Sequence, residues 1–170
     1  MRIKKLKYII IQIIIIFTLV SCKIYSFTGA SISPDIKTAS IQYFQNRAPI
    51  IQPSLSQNFT EMLKDKFASQ TNLELINGVG DLDFEGEIIN YNISPIAVQG
   101  NETAALNRLT ITVHVKFTNS KDPKQNFDMQ FSNYEDFESS KNINSIEEEL
   151  IKTINTKIVD DIFNKSVANW

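Results

Sequence analysis

The chain has 170 residues, 42% of them hydrophobic and 21% charged, with one cysteine, one histidine and a formal net charge of -2. Four of its 17 basic residues, Arg2, Lys4, Lys5 and Lys7, crowd the N-terminus; the remaining 13 face 19 acidic residues, a net charge of -6. That balance argues against a nucleic-acid binder, which needs a basic stripe, and a single Cys and a single His exclude an internal disulfide and a two-histidine metal centre.

The basic head is followed by an apolar run from Tyr8 to Val20, interrupted only by Gln12 and Thr18. The run falls short of the roughly 20 residues a helix needs to cross a bilayer, which fits a cleaved export signal. It ends in Leu19-Val20-Ser21-Cys22, a tetrapeptide that resembles the bacterial lipobox. The resemblance implies that the Cys22 thiol receives a diacylglycerol, that residues 1–21 are removed as a signal peptide, and that the new amino group is acylated as well. Two or three chains, at about 0.8 kcal/mol per buried methylene, anchor stably where one is marginal.

Residues 22–36 read as the lipidated tether, with Gly29 and Pro34 marking turns and Tyr25 and Phe27 placed to pin it to the body. Residues 37–170 are expected to form one domain. From Lys37 to Phe44, Ala39, Ile41 and Tyr43 alternate with Thr38, Ser40 and Gln42, which predicts a half-buried strand. Pro49 and Pro53 bound the loop that follows. Ser54 and Gln57 have capping-box spacing, and Leu55, Phe59, Met62, Leu63 and Phe67 recur at helical intervals through Gln70.

Gly78 and Gly80 mark a turn, after which Leu82, Phe84 and Ile88 alternate with Asp83, Glu85 and Glu87. The phase flips at Ile88-Ile89, so that Ile89, Tyr91 and Ile93 form the next apolar set; the flip predicts a bulge or a strand leaving the core. Gln99 to Glu102 provides a turn. Leu109, Ile111, Val113, Val115 and Phe117 then face one way, with Arg108, Thr110, Thr112, His114 and Lys116 opposite, the mark of a sheet covered on one side. Past the loop at Asp122-Pro123, Phe127, Met129 and Phe131 continue the pattern. A second capping box, Ser145 and Glu148, opens a helix with Ile146, Leu150, Ile154, Ile158 and Ile162 on one stripe. The order β-α-β-β-β-α predicts an α+β two-layer sandwich: a four-stranded sheet with two helices on one face.

Convergent reactive groups are missing from this pattern, so no catalytic, cofactor or metal residues are assigned. His114 sits on a polar strand face between Thr112 and Lys116. Gly78-Val79-Gly80 lacks the rest of a phosphate-binding glycine motif, and Glu147 to Glu149 suit a first helical turn through the macrodipole alone. Asp83, Glu85 and Glu87 share one strand face, where mutual repulsion is tolerable near solvent or a basic partner.

The segments Cys22-Lys23-Ile24-Tyr25-Ser26-Phe27-Thr28-Gly29-Ala30-Ser31-Ile32, Ser40 to Pro49, Phe84-Glu85-Gly86-Glu87-Ile88, Gln99 to Ala105 with Asn107 to Ile111, and Asp161 to Lys165 with Trp170 resemble the LptE family as found in Bacteroidota. The resemblance implies a sandwich of this kind, without catalysis. It implies a partner, the outer-membrane β-barrel LptD, which such a lipoprotein plugs, and a role in lipopolysaccharide transport and insertion. Contacts of the Proteobacterial members with lipopolysaccharide do not transfer by position; Arg108 and Lys116, on one strand face, are the candidates here. Without an acidic run after Cys22, the expected location is the outer membrane, lipid-anchored and facing the periplasm. The competing expectation is a free lipoprotein that carries a lipid or other amphiphile, which needs an apolar cavity; Ile89 to Val98 is its only hint.

Overall fold

The computed structural model describes residues 32–96 and 105–167; Cys22, Tyr25, Phe27 and the Gln99–Glu102 turn lie outside them. Strand β1 covers Thr38–Ile41, β2 Gln45–Asn46, helix α1 Leu55–Gln70, β3 Glu74–Leu75, β4 Leu82–Ile96, β5 Leu106–Asn119, β6 Phe127–Glu138 and helix α2 Ile143–Val167, with a short 3-10 turn at Pro123–Gln125 before β6. The sheet runs β3-β1-β4-β5-β6, with β2 pairing separately onto β4. It therefore has six strands, not four. The two additions, β2 and β3, are each two residues long and pair in parallel, β2 on β4 and β3 on β1. So short a strand has no period to detect; only its neighbours' backbone defines it.

The meander is antiparallel as expected: Phe84 pairs with Phe117 across β4 and β5, and Phe117 with Phe127 across β5 and β6. The predicted phase flip is a bulge. Ile88 pairs with Val113 and Asn90 with Thr112, which leaves Ile89 as the extra residue and lets Tyr91 rejoin the buried face.

Both helices cover that face. Phe67 of α1 packs on Phe84 of β4 with ring centroids 4.8 Å apart, Phe84 on Phe117 at 4.8 Å, and Phe67 on Phe163 of α2 at 5.1 Å. These rings join both layers into one core, each worth about 1.5–3 kcal/mol in burial and each pair about 0.5–1.5 kcal/mol beyond that. The helices run parallel, since Gln52, just before α1, bonds Glu147 near the start of α2, while Lys66 pairs with Asp160 at 2.7 Å further along both.

Local expectations needed correction at three places. The first strand stops at Ile41: Gln42 N–H still donates to Phe84 O, but the Phe44 N–H turns to Thr60 Oγ1 of α1. Phe44 is then fully buried and Tyr43, expected inside, is 57% exposed. Gly86 makes room for this, because a Cβ there would lie 2.6 Å from the Phe44 ring and 2.1 Å from the His114 carbonyl oxygen. Neither capping box forms. Ser54 makes no cap bond and Gln57 Nε2 donates to Glu61 instead. Helix α2 starts earlier than expected, with Asn142 Oδ1 accepting the Asn144 N–H, so Glu147 to Glu149 fall beyond its first residues.

Candidate interaction surfaces

The alternation that fills the core leaves the opposite sheet face without a helix among the described residues. Cross-strand rows on that face are Glu85–Lys116–Asp128, Glu87–His114–Gln130, Asn90–Thr112–Ser132, Asn92–Thr110–Tyr134 and Ser94–Arg108–Asp136. Charges along it are matched in place. Arg108 donates to Asp136 from Nε at 2.7 Å and from an Nη at 2.9 Å, and its guanidinium lies 3.6 Å from the Tyr134 ring centroid. This bidentate pairing raises the arginine pKa and holds the Asp136 carboxyl below its ordinary value. Lys116 Nζ lies 3.2 Å from Glu85, which also accepts from Gln42, and His114 Nε2 is 2.5 Å from Asp128. Arg108 and Lys116 thus share a face, as expected, but stand eight residues apart on one strand, about 26 Å. Each sits in its own ion pair.

Asp83, at the edge of this face, is only 8% exposed and its Oδ1 has no partner among the described residues. Burial raises its pKa. Its near neighbour Asp81 is the reverse case. Asp81 Oδ2 accepts the Lys37 N–H at 2.9 Å, the Thr38 N–H at 3.1 Å and the Thr38 hydroxyl, while Lys121 approaches Oδ1 at 3.0 Å. The Lys37 amide first, then Lys121, hold this carboxyl well below the usual carboxylate range.

Asp81 marks one pole of the sandwich, where a cleft of about 430 Å³ is lined by Ile32, Ile36, Leu82, Lys121 and Val167. Ile32 and Val167 are the first and last described residues. At the other pole Glu147 bridges the layers: the Tyr91 hydroxyl donates to Oε1 at 2.5 Å and Gln52 Nε2 to Oε2 at 3.0 Å. Burial and this carboxylate together push the Tyr91 pKa up. The loop so pinned carries Ile50 and Ile51, 52% and 70% exposed.

Sequence patterns anticipated the faces of Arg108 and Lys116 but missed Asp81, Tyr91, Glu147 and Tyr134, whose contacts span long sequence separations. Among the described residues, no cluster of three His, Cys, Asp or Glu side chains is placed to hold a metal ion, and no helix is long and apolar enough to cross a membrane. Between the layers the space is filled by Phe44, Phe59, Phe67, Phe84 and Phe117, all essentially inaccessible.

Solved structures of similar fold include a minor lipoprotein from Acinetobacter baumannii, 13% identical with TM-score 0.51, covering 76% of this chain and 91% of that one. A neuraminyllactose-binding hemagglutinin homologue from Helicobacter pylori is 9% identical with TM-score 0.51, covering 83% and 88%. A hypothetical protein from Chlamydia trachomatis is 11% identical with TM-score 0.50, covering 79% and 99%. At such identities the likeness is one of fold. No curated protein sequence matches the chain. The sequence profile of the LptE family, described as lipopolysaccharide-assembly, matches residues 36–166, more than three-quarters of the length, and the chain belongs to that family.

Proposed function

We propose that this chain is a lipoprotein anchored through acyl chains on Cys22 in the outer membrane, facing the periplasm, where it occupies and plugs an LptD-type β-barrel and supports lipopolysaccharide insertion. Family membership carries the assembly role. The observation favouring a plug over a lipid carrier is the filled interior: aromatic side chains occupy the space between the layers that a carrier would keep for an acyl chain. A plug needs a rigid body with polar outer surfaces, and the bare sheet face supplies matched charges that tolerate a wet lumen. Arg108 and Lys116 are the cations of that face proposed to meet lipopolysaccharide phosphates, each exchanging its carboxylate for the ligand.

Purification of the tagged full-length chain from solubilised outer membrane tests this reading. A large barrel protein at one-to-one stoichiometry is expected; recovery of the chain alone, with acylation of Cys22 verified by mass, refutes the plug.

A further inference from the structure

Strand β6 ends the sheet, and its two sides differ. The Ser139 N–H donates to Ala105 O, which fixes the alternation of the ladder: odd-numbered residues of β6 bond to β5 and even-numbered ones turn their N–H and C=O outward. The outward amides belong to Asp128, Gln130, Ser132, Tyr134, Asp136 and Glu138. Only that of Tyr134 has a partner among the described residues, the side chain of Asn133. Proteins normally blunt such an edge with proline, lysine, a bulge or brevity. Phe127–Glu138 is 12 residues long, contains neither proline nor lysine, and pairs with β5 in unbroken register. The opposite edge is blunted, since β3 has two residues.

We propose that the outer edge of β6 is a strand-addition site for an extended protein segment of alternating basic and aliphatic residues. Main-chain bonds to the outward amides supply the docking, and the two rows of side chains supply the selection. On the helix-side row, Met129 is 40% exposed beside Phe127 and Phe131 and receives aliphatic side chains. On the open-face row, Asp128, Asp136 and Glu138 face the added strand with no basic residue in β6 to oppose them. Arg108 already matches Asp136 and His114 already meets Asp128, so the cations are drawn first to Glu138. The same charges disfavour a second copy as occupant. Two β6 strands paired antiparallel about Asn133 set Asp128 of one opposite Glu138 of the other, like charge on like charge. The inference stands whichever protein supplies the segment, so it does not depend on the barrel partnership.

Amide hydrogen exchange on the purified full-length chain tests it, with the synthetic heptapeptide Lys-Val-Lys-Val-Lys-Val-Lys as probe and Glu-Val-Glu-Val-Glu-Val-Glu as control. The lysine peptide is expected to slow exchange at the Gln130, Ser132 and Asp136 amides at least about tenfold. Ser132→Pro removes one outward donor and the Ser132 hydroxyl's contacts with Thr112 and Ile111 while leaving the main-chain ladder to β5 intact, and is expected to abolish that protection with the fold retained. Four results overturn the proposal: no protection at these amides, equal protection by the glutamate peptide, equal protection in Ser132→Pro, or amides already protected in the free chain by its own N-terminal segment. Concentration-dependent dimerisation lost in Ser132→Pro also overturns it, by making the occupant a second copy.

Discussion

At the pole beside Ile32 and Val167, Asp81 is gripped by two backbone amides, a hydroxyl and an ammonium, and at the far pole Glu147 is gripped by two side chains, Tyr91 and Gln52. Backbone donors fix the path of the chain itself, whereas side-chain donors fix only the tip of a rotamer. The first pole is accordingly the more firmly tied of the two. The second holds a loop against the body while leaving Ile50 and Ile51 exposed.

The middle of the molecule sets the scale for testing that contrast. Phe84→Ala, between the poles, is expected to cost about 3–5 kcal/mol in urea unfolding, because the ring it removes touches both Phe67 and Phe117. Asp81→Ala comes next, with a lower thermal midpoint at neutral pH and faster exchange of the Lys37 and Thr38 amides. Since its folded pKa is depressed, the stability it contributes is present above the ordinary carboxylate pKa and is lost as pH falls through the folded value. The deficit of the variant should therefore shrink in strong acid.

Tyr91→Phe, which leaves a carboxylate oxygen of Glu147 without its donor, is expected to cost about 1–2 kcal/mol and to speed proteolytic cleavage within residues 47–53. If Asp81→Ala lowers the midpoint no more than Tyr91→Phe, the distinction between the poles is lost. The smallest effect is a gain. Asp83 has a raised folded pKa, so its contribution is complete below the ordinary carboxylate value and declines as pH rises through the folded one. Asp83→Asn is expected to raise the thermal midpoint slightly at pH 7 and not at about pH 3, where Asp83 is already protonated. A gain of equal size at both pH values would show that ionisation is not the cause.

What the sequence made legible was whatever repeats. The alternation in β5 and the helical spacing in both helices predicted features that are present, and the phase flip at Ile88-Ile89, which left a bulge or a departing strand open, is a bulge with Ile89 as its extra residue. Where one residue decided the outcome, pattern failed. Tyr43 continued the alternation perfectly but lost the inside position to Phe44, because a buried Thr60 hydroxyl and the space over Gly86 are features of distant segments. The capping boxes failed for a related reason: the motif is a spacing, and Asn142 offered a better-placed oxygen one residue before α2. Of the candidate site, the shared face of Arg108 and Lys116 was legible from parity, but their neutralisation by Asp136 and Glu85 was not. Those acids lie on other strands, and register is set by pairing that no local window contains.

Ile32 and Val167, the first and last described residues, line the same cleft at one pole. The Ile50-Ile51 loop at the opposite pole hangs from the sandwich by both of its own ends, β2 and α1. Segments there can lengthen, shorten or change composition without disturbing the pole that Asp81 ties, while any insertion near Asp81 displaces the Lys37, Thr38 and Lys121 groups that hold it.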